Sequence, residues 1–338
     1  MNNNPALTVI VAVGYQRARG AHCLKHILDQ QVNAPFEILL YDDLIGKADP
    51  LPGSDHPAVR TLPFPLNRSY GDLFADGVQQ ARASVIALIE EHVQVRPGWA
   101  QAIIDAHRDN DYAIVSGEVH NGNPGSGASD SIHMTNYVTT MAPRPKGETT
   151  AIVGHNSTFK RAPLLAYADE LADLFQNDTL LAWRLLKDGH TFFADPAIKI
   201  AHCNETQAAS HLIGIFIANR AFGAARVKTF HWSWARRLFY VAIAPVAPFV
   251  RLARQVRFLR QHRPQLMNAA LLPHLPVWWS FYAAAVAGQA LGLLTGMGDA
   301  RSRFLYFELN EYRHVPGVED ARLLRIRTPL FGTLPEPQ

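Results

Sequence analysis

Glu90-Glu91-His92 set three side chains able to bind a metal ion or a hydroxyl directly after the apolar run Val85–Ile89. Arg96-Pro97-Gly98-Trp99 then forms a turn, and helical spacing follows. Parallel strands of open α/β sheets present their ligand sites at the carboxyl ends, outside the sheet. An acidic–imidazole cluster at such an end is therefore placed for chemistry, where core packing would not choose it. The competing reading is a solvated loop that holds two glutamates. Two further apolar runs end in side chains of the same kind, Phe36–Tyr41 at Asp42-Asp43 and Ile198–Ala201 at His202.

These residues need strands and helices to hold them. Leu7–Val13 is a continuous apolar run, and residues 21–31 follow with helical spacing of Leu24, Ile27 and Leu28. A Pro- and Gly-rich connection over 46–57 leads to the short segment Val59–Phe64, and residues 70–83 read as a helix before Val85. Residues 112–118 give another strand, 121–131 a mobile polar loop, and 178–188 a helix closed by Gly189. Strand–helix alternation of this kind predicts an α/β fold with a mostly parallel sheet covered by helices. The loop at 121–131 lacks the lysine and spacing of a phosphate-binding P-loop, and no G-x-G-x-x-G motif follows the first strand.

The chain has 338 residues, 48% of them hydrophobic, which suits a globular core. Its two cysteines, Cys23 and Cys203, exclude a disulfide framework and a four-cysteine zinc site, and fit a reducing compartment. Leu7–Val13 is short and has no basic residue before it, so it reads as a strand and not as a secretory signal. The net charge of +3 conceals a division. Residues 1–205 hold 16 Lys/Arg against 23 Asp/Glu, whereas 206–298 hold 10 Lys/Arg and no acid. Such asymmetry predicts two physical jobs, with one unit over 1–210 and a basic, apolar helical unit over 211–338.

Within the second unit Arg251, Arg254, Arg257, Arg260 and Arg263 recur every third residue among apolar side chains. A helix over 276–296 would be about 30 Å long, enough to cross a bilayer core. Trp278, Trp279 and Tyr282 stand at one end of it, as interfacial aromatics do. Ala284, Gly288, Gly292 and Gly296 place small residues on one face, a pattern of close helix packing that could serve a homo-oligomer or a partner membrane protein. The expectation is a peripheral, re-entrant or single-span association with an anionic membrane surface. An arginine-rich segment could also bind nucleic acid, but the uncharged stretch beside it argues against that.

The order of these motifs resembles the GT-A (Rossmann-like) domain of family 2 inverting glycosyltransferases, over residues 7–202. The opening Leu7–Arg17 looks like the family's first strand and turn, and Leu39–Asp43 like its second-strand ending. Asn67 through Gly77 resembles the Asn-x-Gly…Ala-x-Asn-x-Gly segment, and Glu90-Glu91-His92 stands at the place of the Asp-x-Asp motif. Gly154-His155-Asn156 with Lys160-Arg161 looks like the acceptor-side segment. Asn177-Asp178 with Trp183-Arg184-Leu185 and Gly189 looks like the Glu-Asp…Arg-Leu…Gly element, and His202 like the late histidine that some members use as a metal ligand. The sequence departs from the commoner pattern in Glu-Glu-His for Asp-x-Asp, in Asn177 for a glutamate, and in lacking a serine after Asp43.

The resemblance implies transfer of a sugar from a nucleotide donor to a hydroxyl of a lipid-linked or polysaccharide acceptor, at the cytoplasmic face of the membrane. His92 and His202 are then the expected metal ligands, with Glu90 nearer the ribose or donor sugar. Imidazole ligands favour Mn²⁺ over Mg²⁺. Asp178 is the expected base that takes the acceptor proton, though a carboxylate opening a helix fits an N-cap equally. Asp42 or Asp43 is expected to receive the base or ribose of the donor. Glu91, Trp99, Asn156, Lys160, Arg161, Trp183 and Arg184 complete the expected substrate-binding set. The alternative is a non-catalytic relative of the same fold that binds a nucleotide sugar or a partner protein.

Overall fold

A computed structural model describes residues 4–64, 68–267 and 271–309. Asn67 and the tail from 310 lie outside the described residues. The first half alternates as expected: β1 (Leu7–Val13), α1 (Arg17–Leu28), β2 (Phe36–Asp42), β3 (Val59–Pro63), α2 (Tyr70–Gln80), β4 (Val85–Glu90), β5 (Val93–Val95) and α3 (Trp99–Asp109). It continues through β6 (Ile114–Asn121), α4 (Gly127–Asn136), β7 (Gly147–Glu148), β8 (Ser157–Lys160), α5 (Arg161–Leu165), α6 (Leu171–Leu174), α7 (Asp178–Lys187) and β9 (Phe192–His202). Five helices follow: α8 (Ala208–Thr229), α9 (Trp234–Ala242), α10 (Ala247–His262), α11 (His274–Thr295) and α12 (Ala300–Leu309).

The strands form one sheet in the order β3-β2-β1-β4-β8-β6-β9-β5, with β7 beside β9. β3, β2, β1 and β4 run parallel, but β8 enters between β4 and β6 antiparallel to both, and β5 and β7 are antiparallel to β9. The sheet is therefore mixed, with its longest pairings parallel and its shorter ones antiparallel. Strands as short as β5 and β7 carry no periodicity from which a direction could be read.

Both faces of the central strands are buried, which is why β1 reads as an unbroken apolar run. Val9 and Val11 pack with Leu24 and Ile27 of α1 and Ile103 of α3. Ile10 and Ala12 point the other way, into Leu73, Phe74 and Val78 of α2 and the helices after β8. Helix α2 begins with a capping box in which Ser69 and Asp72 satisfy each other's backbone N–H. Helix α4 starts inside the expected loop because Ser126 caps it, accepting from the Ser129 N–H.

The C-terminal helices fold back on this frame. Helix α11 is long and apolar enough to cross a membrane (mean hydropathy 1.3), yet 44% of that window is buried within the protein. Its small-residue face meets α8 of the same chain. A Cβ on Gly288 would lie 2.3 Å from the Phe216 carbonyl oxygen, and one on Gly292 2.2 Å from that of Arg220. Gly223 of α8 returns the contact, 2.4 Å from the Gln289 oxygen by the same measure. The expected docking face for a second chain is thus filled from within, because glycines on both helices let the two backbones touch. Helix α12 then ties the last described segment to α2 and α1: Arg301 donates to Asp72 at 2.8 Å, and the fully buried Arg19 donates to the Glu308 carbonyl at 2.9 Å.

Candidate functional site

The carboxyl ends of β2, β1 and β4 lie side by side, Val13 opposite Asp42 and Ala12 opposite Glu90. Glu90 is the last residue of β4, and the chain re-enters the sheet three residues later as β5. β5 pairs with β9 so that Val93 faces His202. That register carries His92 and His202, far apart in sequence, to 3.0 Å between their Nε2 atoms. The Glu90 Oε2 atom is 3.3 Å from His92 Nε2, 3.2 Å from His202 Nε2 and 3.2 Å from His155 Nδ1. His155 sits in a single helical turn, Gly154–Asn156, which Asn156 fastens by donating to the Glu118 carbonyl at 2.9 Å and accepting from Trp99 Nε1 at 3.3 Å.

One carboxylate oxygen and three imidazole nitrogens thus converge. Donor atoms of Glu90, His155 and His202 all lie within 4.8 Å of one another, a set able to hold a metal ion. The outer contacts prepare it. His202 Nδ1 is 2.9 Å from Asn204 Oδ1, and the Asn204 amide nitrogen is itself engaged by Asn121 Oδ1 at 3.1 Å. An amide oxygen only accepts, so Nδ1 carries the proton and Nε2 presents its lone pair to the cluster. Burial depresses the His202 pKa to about 3, keeping that ring neutral. Burial pushes Glu90 the other way, but the charge and hydrogen bond of His155 lead the effects that outweigh it and hold the carboxyl well below its usual range. A neutral His202 ring and an ionised Glu90 carboxylate are the forms in which these two residues ligate. Imidazole nitrogens beside a carboxylate oxygen are a donor set that divalent transition metals accept.

A cavity of about 330 Å³ opens over this cluster and is also lined by Asp178. Asp178 occupies the first position of α7, and Asn177 before it caps the helix, accepting from the Thr179 N–H at 3.1 Å. Asp178 takes the Gly154 N–H at 2.8 Å and also the Thr179 N–H at 2.7 Å. Burial raises its pKa despite these donors. Both chemical possibilities for this carboxylate therefore have a physical basis: it helps the cap, and it faces the cavity with a proton affinity above that of ordinary aspartate.

The other expected residues divide. Asp42 is at the same sheet edge as Glu90 but outside the cavity lining, where it accepts from Arg17 at 2.7 Å and from the Leu44 N–H at 2.9 Å. Asp43 follows it at the end of the strand. Glu91 turns inward and pairs with Arg19. Trp99 and Asn156 are buried and support the His155 turn from beneath. Lys160 pairs with Asp111, and Arg161 donates to the Val78 and Gln79 carbonyls, so both lie away from the cluster. Arg184 is engaged by Glu170 and Asp188, while Trp183 lines a second cavity beside the first. Sequence reasoning placed Glu90 with the donor sugar, whereas it stands at the centre of the imidazoles, and it passed over His155, Asn204 and the cavity-lining pair Glu205 and His211. His155 had one signal, its place between Gly154 and Asn156.

Comparison with protein families matches residues 9–167 to glycosyl transferase family 2. Comparison with curated proteins gives no match. Among solved structures, the mannosyltransferase PcManGT from Pyrobaculum calidifontis, in complex with GDP-Man and Mn²⁺, is similar at a TM-score of 0.53 and 13% identity, over 84% of this chain and 87% of that one. A crystal structure of GalNAc-T7 with UDP, GalNAc and Mn²⁺ gives a TM-score of 0.44 at 11% identity over 59% of this chain, which spans 43% of that protein. The chain thus has a GT-A-like α/β fold with a C-terminal helical region, and the similarity of its residues 9–167 to glycosyl transferase family 2 supports a glycosyltransferase.

Proposed function

We propose that the protein is a metal-dependent inverting glycosyltransferase, with a catalytic unit over residues 1–210 and a membrane-associating unit over 211–338. Its donor is a nucleotide-diphosphate sugar, and its acceptor is a hydroxyl of a lipid-linked or polysaccharide molecule at the cytoplasmic membrane face. The observation that carries this reading is the convergence of Glu90, His155 and His202 in the cavity that Asp178 also lines. Glu90, His155 and His202, with His92 adjoining, would hold the divalent cation, Mn²⁺ in preference to Mg²⁺. Bound there, the cation would offset the negative charge that grows on a departing diphosphate.

The chain's own residues do the rest. Asp178 takes the proton from the acceptor hydroxyl, whose oxygen forms the new bond to the anomeric carbon as the bond from that carbon to the diphosphate breaks. The electron pair leaves on the diphosphate, and a single displacement inverts the centre. Asp42 and Asp43, at the neighbouring strand end, are available to the donor's base or ribose. Membrane association is supported by α9 and the start of α10, which expose Trp234, Leu238, Phe239 and Phe249, with Arg236 and Arg237 on α9.

The test is a thermal-shift and turnover panel of UDP-, GDP- and dTDP-sugars with and without Mn²⁺. Metal-dependent binding with transfer is expected. Metal-dependent binding with neither transfer nor hydrolysis would identify a non-catalytic relative, and absence of any binding would refute the reading.

A further inference from the structure

Beside the metal-site cavity lies a second one of about 670 Å³ built from the C-terminal helices, and the two share Asn177 and Asn219 in their walls. Its chemistry is divided. One wall is apolar: Tyr240, Ile243, Val246, Val250 and Leu293, with Val246 59% exposed at the rim. Arg226, Arg251 and Arg254 also line it. Gln289 draws the first two together, its single Oε1 accepting from Arg226 at 3.4 Å and from Arg251 at 3.3 Å. The Gln289 amide nitrogen in turn donates to Asn219 Oδ1 at 2.6 Å, linking the arginine pair to the residue shared with the metal-site cavity. Arg226 is stacked on Trp232, 4.4 Å from the ring centre, so its fork is held in place.

Residues 206–298 contain no acid, and among the described residues none of the three arginines has a carboxylate partner. Burial, together with the neighbouring guanidiniums, lowers the proton affinity of both Arg226 and Arg251. Like charges gathered on a partly buried amide are unfavourable unless an anion joins them.

We propose that this cavity is the acceptor site for a membrane lipid phosphate, with the phosphate held by Arg226 and Arg251 and the hydrocarbon chain laid along the Tyr240–Val250 wall toward its exposed rim. An inorganic anion would leave the apolar wall bare, and a neutral lipid would leave the arginines unmatched. The ligand must carry both parts, and a membrane lipid with a phosphate head does. The word acceptor rests on the glycosyltransferase reading; the binding itself does not.

Calorimetric titration of the full-length protein with farnesyl phosphate, farnesol and inorganic phosphate tests it. Farnesyl phosphate is expected to bind at least about tenfold more tightly than either fragment. Arg251→Gln and Val250→Glu, the second placing a carboxylate on an exposed part of the wall, should each weaken it about tenfold. Equal affinity for farnesol, equal affinity for inorganic phosphate, or unchanged affinity in both variants would each overturn the assignment. Nucleotide-sugar binding by the unaltered protein is measured alongside. Its failure with farnesyl phosphate binding intact would sink the transferase reading and spare the lipid site.

Discussion

Glu90 shows how much a single carboxylate can organise: three imidazoles from three parts of the chain approach one oxygen. Removing His155 or His202 as alanine should abolish tight Mn²⁺ binding, read by titration calorimetry. Asn204→Ala, which frees the His202 tautomer, should weaken Mn²⁺ by about 10–100-fold. Asp178→Asn separates cap from base, because Asn177 continues to cap α7. Thermal stability should hold while turnover falls by about 10²–10⁴-fold, and an Asn variant with full turnover would leave Asp178 only its structural role. His92, His202 and Asp178 were legible as chemistry in the sequence, since each ends or opens a recognisable run. His155 was not, because its three-residue turn has no periodicity, and the atoms that lock it, on Glu118, Ile198 and Trp99, come from distant segments.

At the scale of elements, the long apolar strands β1, β2 and β4 and the helices between them were readable because burial on both faces forces uniform composition. The antiparallel insertion of β8 and the pairing of β5 with β9 were not, since direction is set by partners and not by composition. The α8–α11 crossing gives a direct test. Gly288→Leu must displace the Phe216 carbonyl and should destabilise by about 1–3 kcal/mol or more, seen as a lower Tm. An unchanged Tm would show that the two backbones are not in contact there. On α3, burial chiefly, with Lys160 adding to it, depresses the pKa of His107 from 6.5 to about 4. The folded state then binds its proton less readily than the unfolded one, so this contribution is complete above pH 6.5 and is lost as pH falls toward 4. His107→Gln should flatten that part of the stability profile in denaturant titrations at stepped pH.

For the whole molecule the relevant pattern is the separation of an acidic α/β unit from a helical segment with ten cations and no acid. The first carries the metal-site cluster, and the second covers the cavity and exposes large apolar side chains at α9 and α10. Co-sedimentation with phosphatidylglycerol vesicles should therefore fall as salt rises, and Phe239→Glu combined with Trp234→Glu should reduce it further, each cation near the surface contributing about 1 kcal/mol at low salt. Binding that ignores both salt and these substitutions would place the membrane contact elsewhere.

The sequence by itself determined the α/β layering, the strand ends that carry Asp42, Glu90 and His202, and the charge division along the chain. Those follow from local composition and spacing, which need no partner to be read. Tertiary structure alone decided that Glu90 joins the imidazoles, that His155 completes them, and that the glycines of α11 are spent on α8 and not on a second chain. Each is a meeting of segments remote in sequence, fixed by strand register and helix crossing, and a one-dimensional pattern does not encode which segments meet.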